Sequence, residues 1–152
     1  VGSAVSSVSV MNEEGDVFDR QREDLIFEYR SSNITSRFIL GACFSLREDE
    51  PRRIMSQVKK IWIYKKNTQP VGLRNSGCIF KNPRGMSAGA LIEKAGLKGT
   101  KIGGAEVSEK HANFIVVNDG ATAFDVLKLI DLVRDKVARE FNIHLEKEIE
   151  VW

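Results

Sequence analysis

Polar and apolar residues alternate over residues 7–11 (SVSVM), the period-two pattern of a strand with one face turned to a core. Residues 12–16 break the pattern as a turn, with Gly15 where the backbone needs positive φ. Residues 17–19 then return, so a hairpin is predicted. Residues 19–25 are charged and suit one helical turn. Residues 27–30 (FEYR) are short and half apolar, and residues 31–37 form a polar loop. Residues 38–46 (FILGACFSL) read as a strand buried on at least one face.

A charged break follows, with Pro51 near a helix start, where its missing N–H costs little. Ile54, Met55, Val58, Ile61 and Trp62 fall at helical spacing and predict a helix to about Lys65. Residues 67–76, with Pro70 and Gly72, are irregular and hold the main organisational boundary. Residues 77–80 suggest a short strand. Ser87 caps a helix over 88–95 that Gly96 closes, and residues 97–104 are a loop or strand edge. Residues 113–117 are a strand by their β-branched content. Thr122 and Asp125 then open a capping-box helix whose stripe is Phe124, Leu127, Ile130, Val133, Val137 and Phe141. Residues 143–151 alternate apolar with charged and predict a last strand with Glu146, Glu148 and Glu150 on one face. Separated helices and isolated strands give an α+β class.

Composition narrows the functions. The 152 residues are 42% hydrophobic, enough for a core in one domain or two small lobes. A net charge of +2, from 23 basic and 21 acidic side chains, argues against a dense nucleic-acid-binding face. Lys59, Lys60, Lys65 and Lys66 therefore read as a solvated helix face. No apolar run spans a bilayer, and no leader pattern opens the chain. The start on Val1 without Met is expected of a chain that begins inside a longer protein. Cys43 and Cys78 read as free thiols of a reducing cytosol, and the two histidines supply no His-rich metal site.

Three sets of residues could carry chemistry. Cys78 follows the small residues Asn75, Ser76 and Gly77, and a thiol is mostly protonated at neutral pH, so it can donate a proton. A buried structural thiol is the plainer reading of a lone cysteine. Arg30 can serve as a fixed cation beside a carboxylate or enolate, or simply form a surface ion pair. Three carboxylates on one strand face are normally solvated, unless a cleft buries one and raises its pKa. Lys81 and Asn82, a cation and an amide donor, suit phosphate oxygens. Gly103-Gly104 is too short for a phosphate-binding fingerprint.

In order, Tyr29-Arg30-Ser31-Ser32, Gln69-Pro70, Ser76-Gly-Cys-Ile-Phe-Lys-Asn-Pro83, the helix opened by Ser87, residues 103–116 and Leu145-Glu-Lys-Glu-Ile149 resemble the UDP-N-acetylenolpyruvoylglucosamine reductases. The block 76–116 is the specific part. The resemblance implies an NADPH-linked, FAD-dependent reduction of UDP-N-acetylglucosamine enolpyruvate to UDP-N-acetylmuramate, in cytoplasmic peptidoglycan precursor synthesis. It implies that Cys78, where the family commonly has Ser, protonates C2. Arg30 would stabilise the enolate, and Glu148, with Glu146 as its alternative, would act from the opposite side. Lys81 and Asn82 would hold the diphosphate, and Tyr29 and His111 would contact substrate. Glu150 stands where the family usually has Arg. The family's glycine-rich FAD segments have no counterpart here, so cofactor-binding residues are unassigned and the chain alone is expected to be inactive.

The fold so implied is the end of a flavin-binding α+β domain (residues 1–69), then a substrate-binding lobe of helices on an antiparallel sheet (70–152). The last strand is expected to return to the cleft and bring Glu148 toward Cys78. The partners expected are the UDP-sugar and the missing N-terminal FAD-binding region, with no nucleic acid, membrane or metal. A non-catalytic UDP-sugar-binding module is the competing reading; a lobe in which Cys78 only fills space is a third.

Overall fold

The computed structural model describes residues 1–151. Its helices and antiparallel sheets bear out the α+β class. The chain divides into two compact units, Val1–Ile54 and the remainder from Met55, and each is described by itself.

In the first unit, β1 (Val5–Met11) and β2 (Val17–Gln21) form the expected hairpin around Gly15, at φ 91°. A second, tighter hairpin joins β3 (Phe27–Glu28) to β4 (Ser31–Ser32). Strand β5 (Phe38–Phe44) pairs with the free side of β1 and completes an antiparallel sheet of order β2-β1-β5. Val5, Val8, Val10 and Leu25 are buried, with Ile34 against them. The expectation of a buried face on β5 is not met: all its residues are exposed, Phe38, Ile39, Leu40 and Phe44 included. The strand lies at the sheet edge, and the small core gathers around β1 instead.

Helix α1 (Pro51–Thr68) starts on Pro51 and ends at Thr68 rather than near Lys65. Its apolar stripe is also exposed, Trp62 and Ile61 among it. Beyond it come β6 (Asn75–Cys78), α2 (Ala88–Lys94), β7 (Lys101–Ile102), β8 (Ala105–Val107), β9 (Phe114–Val117) and α3 (Ala123–Phe141). The strands form an antiparallel sheet of order β6-β9-β8-β7. Ala105, Val107 and Ile115 on one sheet face join Leu129, Ile130, Val133 and Val137 of α3 in the main core. This burial is the largest stabilising contribution in the unit, at roughly 1.5–3 kcal/mol per large side chain.

Local signals set the helix ends. Ser87 Oγ accepts from Ala90 N–H, and Gly96 follows α2 at φ 69°. Thr122 Oγ1 accepts from Asp125 N–H at 3.2 Å, while Asp125 Oδ2 accepts from Thr122 N–H at 2.9 Å, closing the capping box. The glycine pair before β8 has a packing reason. A Cβ on Gly104 would stand 2.6 Å from the Ala121 Cα, and one on Gly103 2.4 Å from the Asp125 carboxyl.

Residues 143–151 do not form the predicted strand. Lys147 alone makes a β-bridge, to Phe80. Leu145 is buried and Ile143 and Ile149 pack on the core, so the alternation records packing rather than a ladder. The segment opposite is short, because Pro83, with no N–H to donate, follows it closely.

Candidate functional site

Cys78 ends β6 and pairs with Phe114, while Asn75 pairs with Val116. One extra residue on β6 makes a β-bulge, with Gly77 at φ 85° and its N–H held by Asn75 Oδ1 at 3.0 Å. The thiol is half-buried. Residues paired across an antiparallel ladder project to the same side. Cys78 therefore shares a side with Phe114, whose ring meets His111 edge-on with centroids 4.7 Å apart.

The C-terminal segment returns beside this strand. Glu148 N–H donates to Ile79 O and Lys81 N–H to Glu146 O, each at 2.8 Å. The main chain of Glu148 thus lies beside the residue that follows Cys78. The two candidate carboxylates differ: Glu146 is exposed and pairs with Lys81 Nζ, whereas Glu148 is half-buried. Asn82 Oδ1 accepts from Ala88 N–H at 3.0 Å, which fixes the amide plane at the start of α2. The other end of that amide, its NH2, is the end suited to an anion.

A cavity of about 380 Å³ opens beside α2, lined by Ser87, Gly89, Lys98, Lys110 and His111 among others. Gly89 matters because a Cβ there would stand 3.3 Å from His111 Cε1. His111 Nδ1 accepts from Asn113 N–H at 3.2 Å, so the neutral ring carries its proton on Nε2. Burial lowers the His111 pKa, and nearby Lys98 acts in the same direction. Lys98 itself pairs with Glu93 at 2.8 Å. The lining offers ammonium, imidazole and hydroxyl groups, a set suited to a polar, hydrogen-bonding ligand.

Arg30 and Tyr29 belong to the first unit. They are the two loop residues between β3 and β4 rather than the end of an apolar segment. Arg30 has φ 57°, a region that costs a non-glycine residue about 1–2 kcal/mol. Its guanidinium lies 5.3 Å from the Tyr29 ring centroid. The hairpin is braced from outside: Ile26 N–H donates to Asn33 Oδ1 at 2.9 Å, and Arg20 Nη1 donates to Asn33 O at 2.8 Å.

The second unit thus brings Cys78, Lys81, Asn82 and Glu148 to one pair of chain segments, with His111 on the adjoining cavity. Sequence reasoning misses Lys98 in that cavity, Asn113 beneath it, and Arg20 and Asn33 around the Arg30 turn. Lys98 carries a signal, a cation following a helix-closing Gly96-Leu97, whereas the other three act through partners distant in sequence. Among the described residues no group of His, Cys, Asp or Glu is placed to hold a metal ion, and no helix is long and apolar enough to cross a membrane.

Fold and site together define an α+β protein with a polar cavity lined by Lys98, Lys110 and His111. A family model, UDP-N-acetylenolpyruvoylglucosamine reductase, C-terminal domain, matches residues 69–152, and the chain belongs to that family. It is 41% identical to the UDP-N-acetylenolpyruvoylglucosamine reductase of Moorella thermoacetica over 100% of this chain and 51% of that protein. For the Chlamydia felis reductase the identity is 42%, over 99% of this chain and 51% of the relative. The crystal structure of the enzyme from Thermus caldophilus superposes with a TM-score of 0.85 at 36% identity, covering 99% of this chain and 54% of that one. The chain spans about half the length of the curated relatives it matches.

Proposed function

We propose that this chain is the substrate-handling part of a UDP-N-acetylenolpyruvoylglucosamine reductase, which reduces UDP-N-acetylglucosamine enolpyruvate to UDP-N-acetylmuramate with NADPH and FAD in the cytoplasm. Residues 1–69 complete a flavin-binding domain, and residues 70–152 form the substrate domain. The observation that carries the reading is the return of the Glu146–Glu148 main chain onto Ile79–Lys81, directly after Cys78.

FAD, held by the family's remaining length, would supply the hydride for the reduction. The described residues do not fit a dinucleotide by themselves. Their one adjacent glycine pair, Gly103-Gly104, is packed against Asp125 and Ala121, leaving no room to cradle a phosphate. The chain's own residues act on the substrate. Lys81 and Asn82 hold the diphosphate by charge and N–H donation. The Glu146 carboxylate pairs with the Lys81 ammonium and keeps it in place. Ser87, Lys98 and His111 line the cavity that takes a polar end of the UDP-sugar. Arg30 neutralises the substrate carboxylate and the enolate charge that develops beside it. Cys78 gives its S–H proton to C2, and Glu148 polarises the substrate from the other side.

The test is Cys78→Ala in a polypeptide of full family length. Removing a general acid should lower turnover by about 10²–10⁴-fold with UDP-sugar affinity retained, and Cys78→Ser should keep most of the rate. Unchanged turnover in Cys78→Ala would remove the proton-donor role. Binding without any turnover in the unaltered protein would favour a non-catalytic UDP-sugar-binding module.

A further inference from the structure

Asn113 is a buried polar residue, 3% exposed, at the head of β9. Its side-chain amide meets one residue across the fold twice. Asn113 Oδ1 accepts from Phe80 N–H at 3.0 Å, and Asn113 Nδ2 donates to Phe80 O at 2.8 Å. Its own carbonyl accepts from Ile79 N–H at 2.9 Å. The amide therefore stands in for a missing strand neighbour where the ladder between β6 and β9 has already ended at Cys78. On the other edge of the same Phe80 sits Lys147, with Glu146 and Glu148 bonded to Lys81 and Ile79.

Two anchors follow from this arrangement. Cys78 is tied to β9 through its main-chain pairing with Phe114. Glu148 is tied to Ile79, and the Ile79–Phe80 main chain is tied to β9 by Asn113. We propose that Asn113 is a positioning residue, whose paired hydrogen bonds to Phe80 set the placement of Glu148 relative to the Cys78 thiol. This rests on the function proposed above. If the pair is broken, Cys78 keeps its ladder while the Phe80 strand and the C-terminal segment shift together. A displacement of about 1 Å at reacting groups can cost about 10²-fold in rate.

Asn113→Asp gives the sharpest test, in a polypeptide of full family length carrying its flavin. The substitution keeps the shape and the acceptor for Phe80 N–H. At neutral pH, however, it points a carboxylate at the Phe80 carbonyl. Burial and that carbonyl raise the carboxyl pKa, and once protonated its O–H can donate to Phe80 O as the amide did.

The expected result is specific to one half of the reaction. Near pH 8, reoxidation of pre-reduced flavin by the UDP-sugar should slow by tenfold or more, on the order expected for displaced groups. Flavin reduction by NADPH should be unchanged. Reoxidation should recover as pH falls and the carboxyl protonates. Hydrogen exchange over residues 79–82 and 146–149 should rise together in the variant. Wild-type reoxidation at pH 8, or both half-reactions slowing equally, or no recovery at low pH, would each overturn the proposal. If the Asp variant does not fold, Asn113→Ser, which can satisfy only one side of Phe80, should show the same half-reaction loss without pH recovery, and equal loss in both halves would overturn it. An unaltered protein that fails to bind the UDP-sugar would defeat the proposed function itself, before any variant is made.

Discussion

The imidazole of His111 is buried enough to resist a proton, and that has a sign for stability. Its folded pKa lies below the ordinary 6.5, with burial the main cause. Between the two values the unfolded chain binds the proton and the folded one does not, so stability rises with pH there. The contribution is present above about 6.5 and is lost as pH falls through the folded value. The thermal midpoint should drop on going from about pH 7.5 to about pH 5.5, and His111→Gln, which cannot titrate, should flatten that part of the curve. An identical slope in the variant would assign the drop elsewhere. Asp125 works in the same direction in a lower window, because its backbone and side-chain bonds with Thr122 hold its pKa below 3.8. The legibility of single residues follows the range of their contacts. Cys78, Lys81 and Asn82 stand out because their small or polar neighbours are adjacent in sequence. Asn113 does not, because its partner Phe80 is 33 positions away. Arg30 announces its charge but not its positive φ, since the turn that requires it is closed by two-residue strands too short to show a period.

Helix α3 was readable from its own residues because its start is a local hydrogen-bond exchange and its stripe faces a core. Thr122→Ala removes the acceptor for Asp125 N–H and should cost about 1 kcal/mol. The expected reading is a lower urea midpoint with an unchanged m-value, and a midpoint equal to wild type would mean water replaces the cap without loss. Elements that depend on distant partners were harder to read. Strand β8 is three residues long, too short for alternation to register, and exists because β9 and β7 flank it. The C-terminal segment shows the opposite error: its alternation is strong, yet the segment it meets at Phe80, which runs into Pro83, offers it one bridge. Hydrophobic periodicity reports which side is buried, and a ladder also needs a partner of matching length.

Across the whole chain, the apolar surface is unevenly covered. The unit from Met55 encloses a continuous core, whereas β5 and the stripe of α1 leave Phe38, Ile39, Leu40, Phe44, Ile61 and Trp62 exposed. Apolar patches of this kind mark surfaces meant to be covered. The matched relatives are about twice as long, and the remaining family length is the proposed cover. The chain alone should therefore bind a hydrophobic dye such as anilinonaphthalene sulfonate, and the dye signal should fall when the chain is joined to that remaining length. Equal dye binding in both forms would mean that the added length covers other surface. The α+β class was legible because separated periodic segments define it, while the exposed strand could not be recognised from a pattern that a buried strand shares.

The bulge at Gly77 acts as a parity device. Counting from Asn75 opposite Val116, strict alternation would place Cys78 opposite Asn113, on the sheet side that faces α3. The extra residue moves it opposite Phe114, away from that core. Flattening the bulge at constant length would preserve every functional group in the motif and still turn the thiol inward, whereas deleting one residue between Asn75 and Cys78 would remove the bulge and leave the thiol opposite Phe114. The order of residues in this motif is thus only half of its information; the other half is the bulge that absorbs the odd residue.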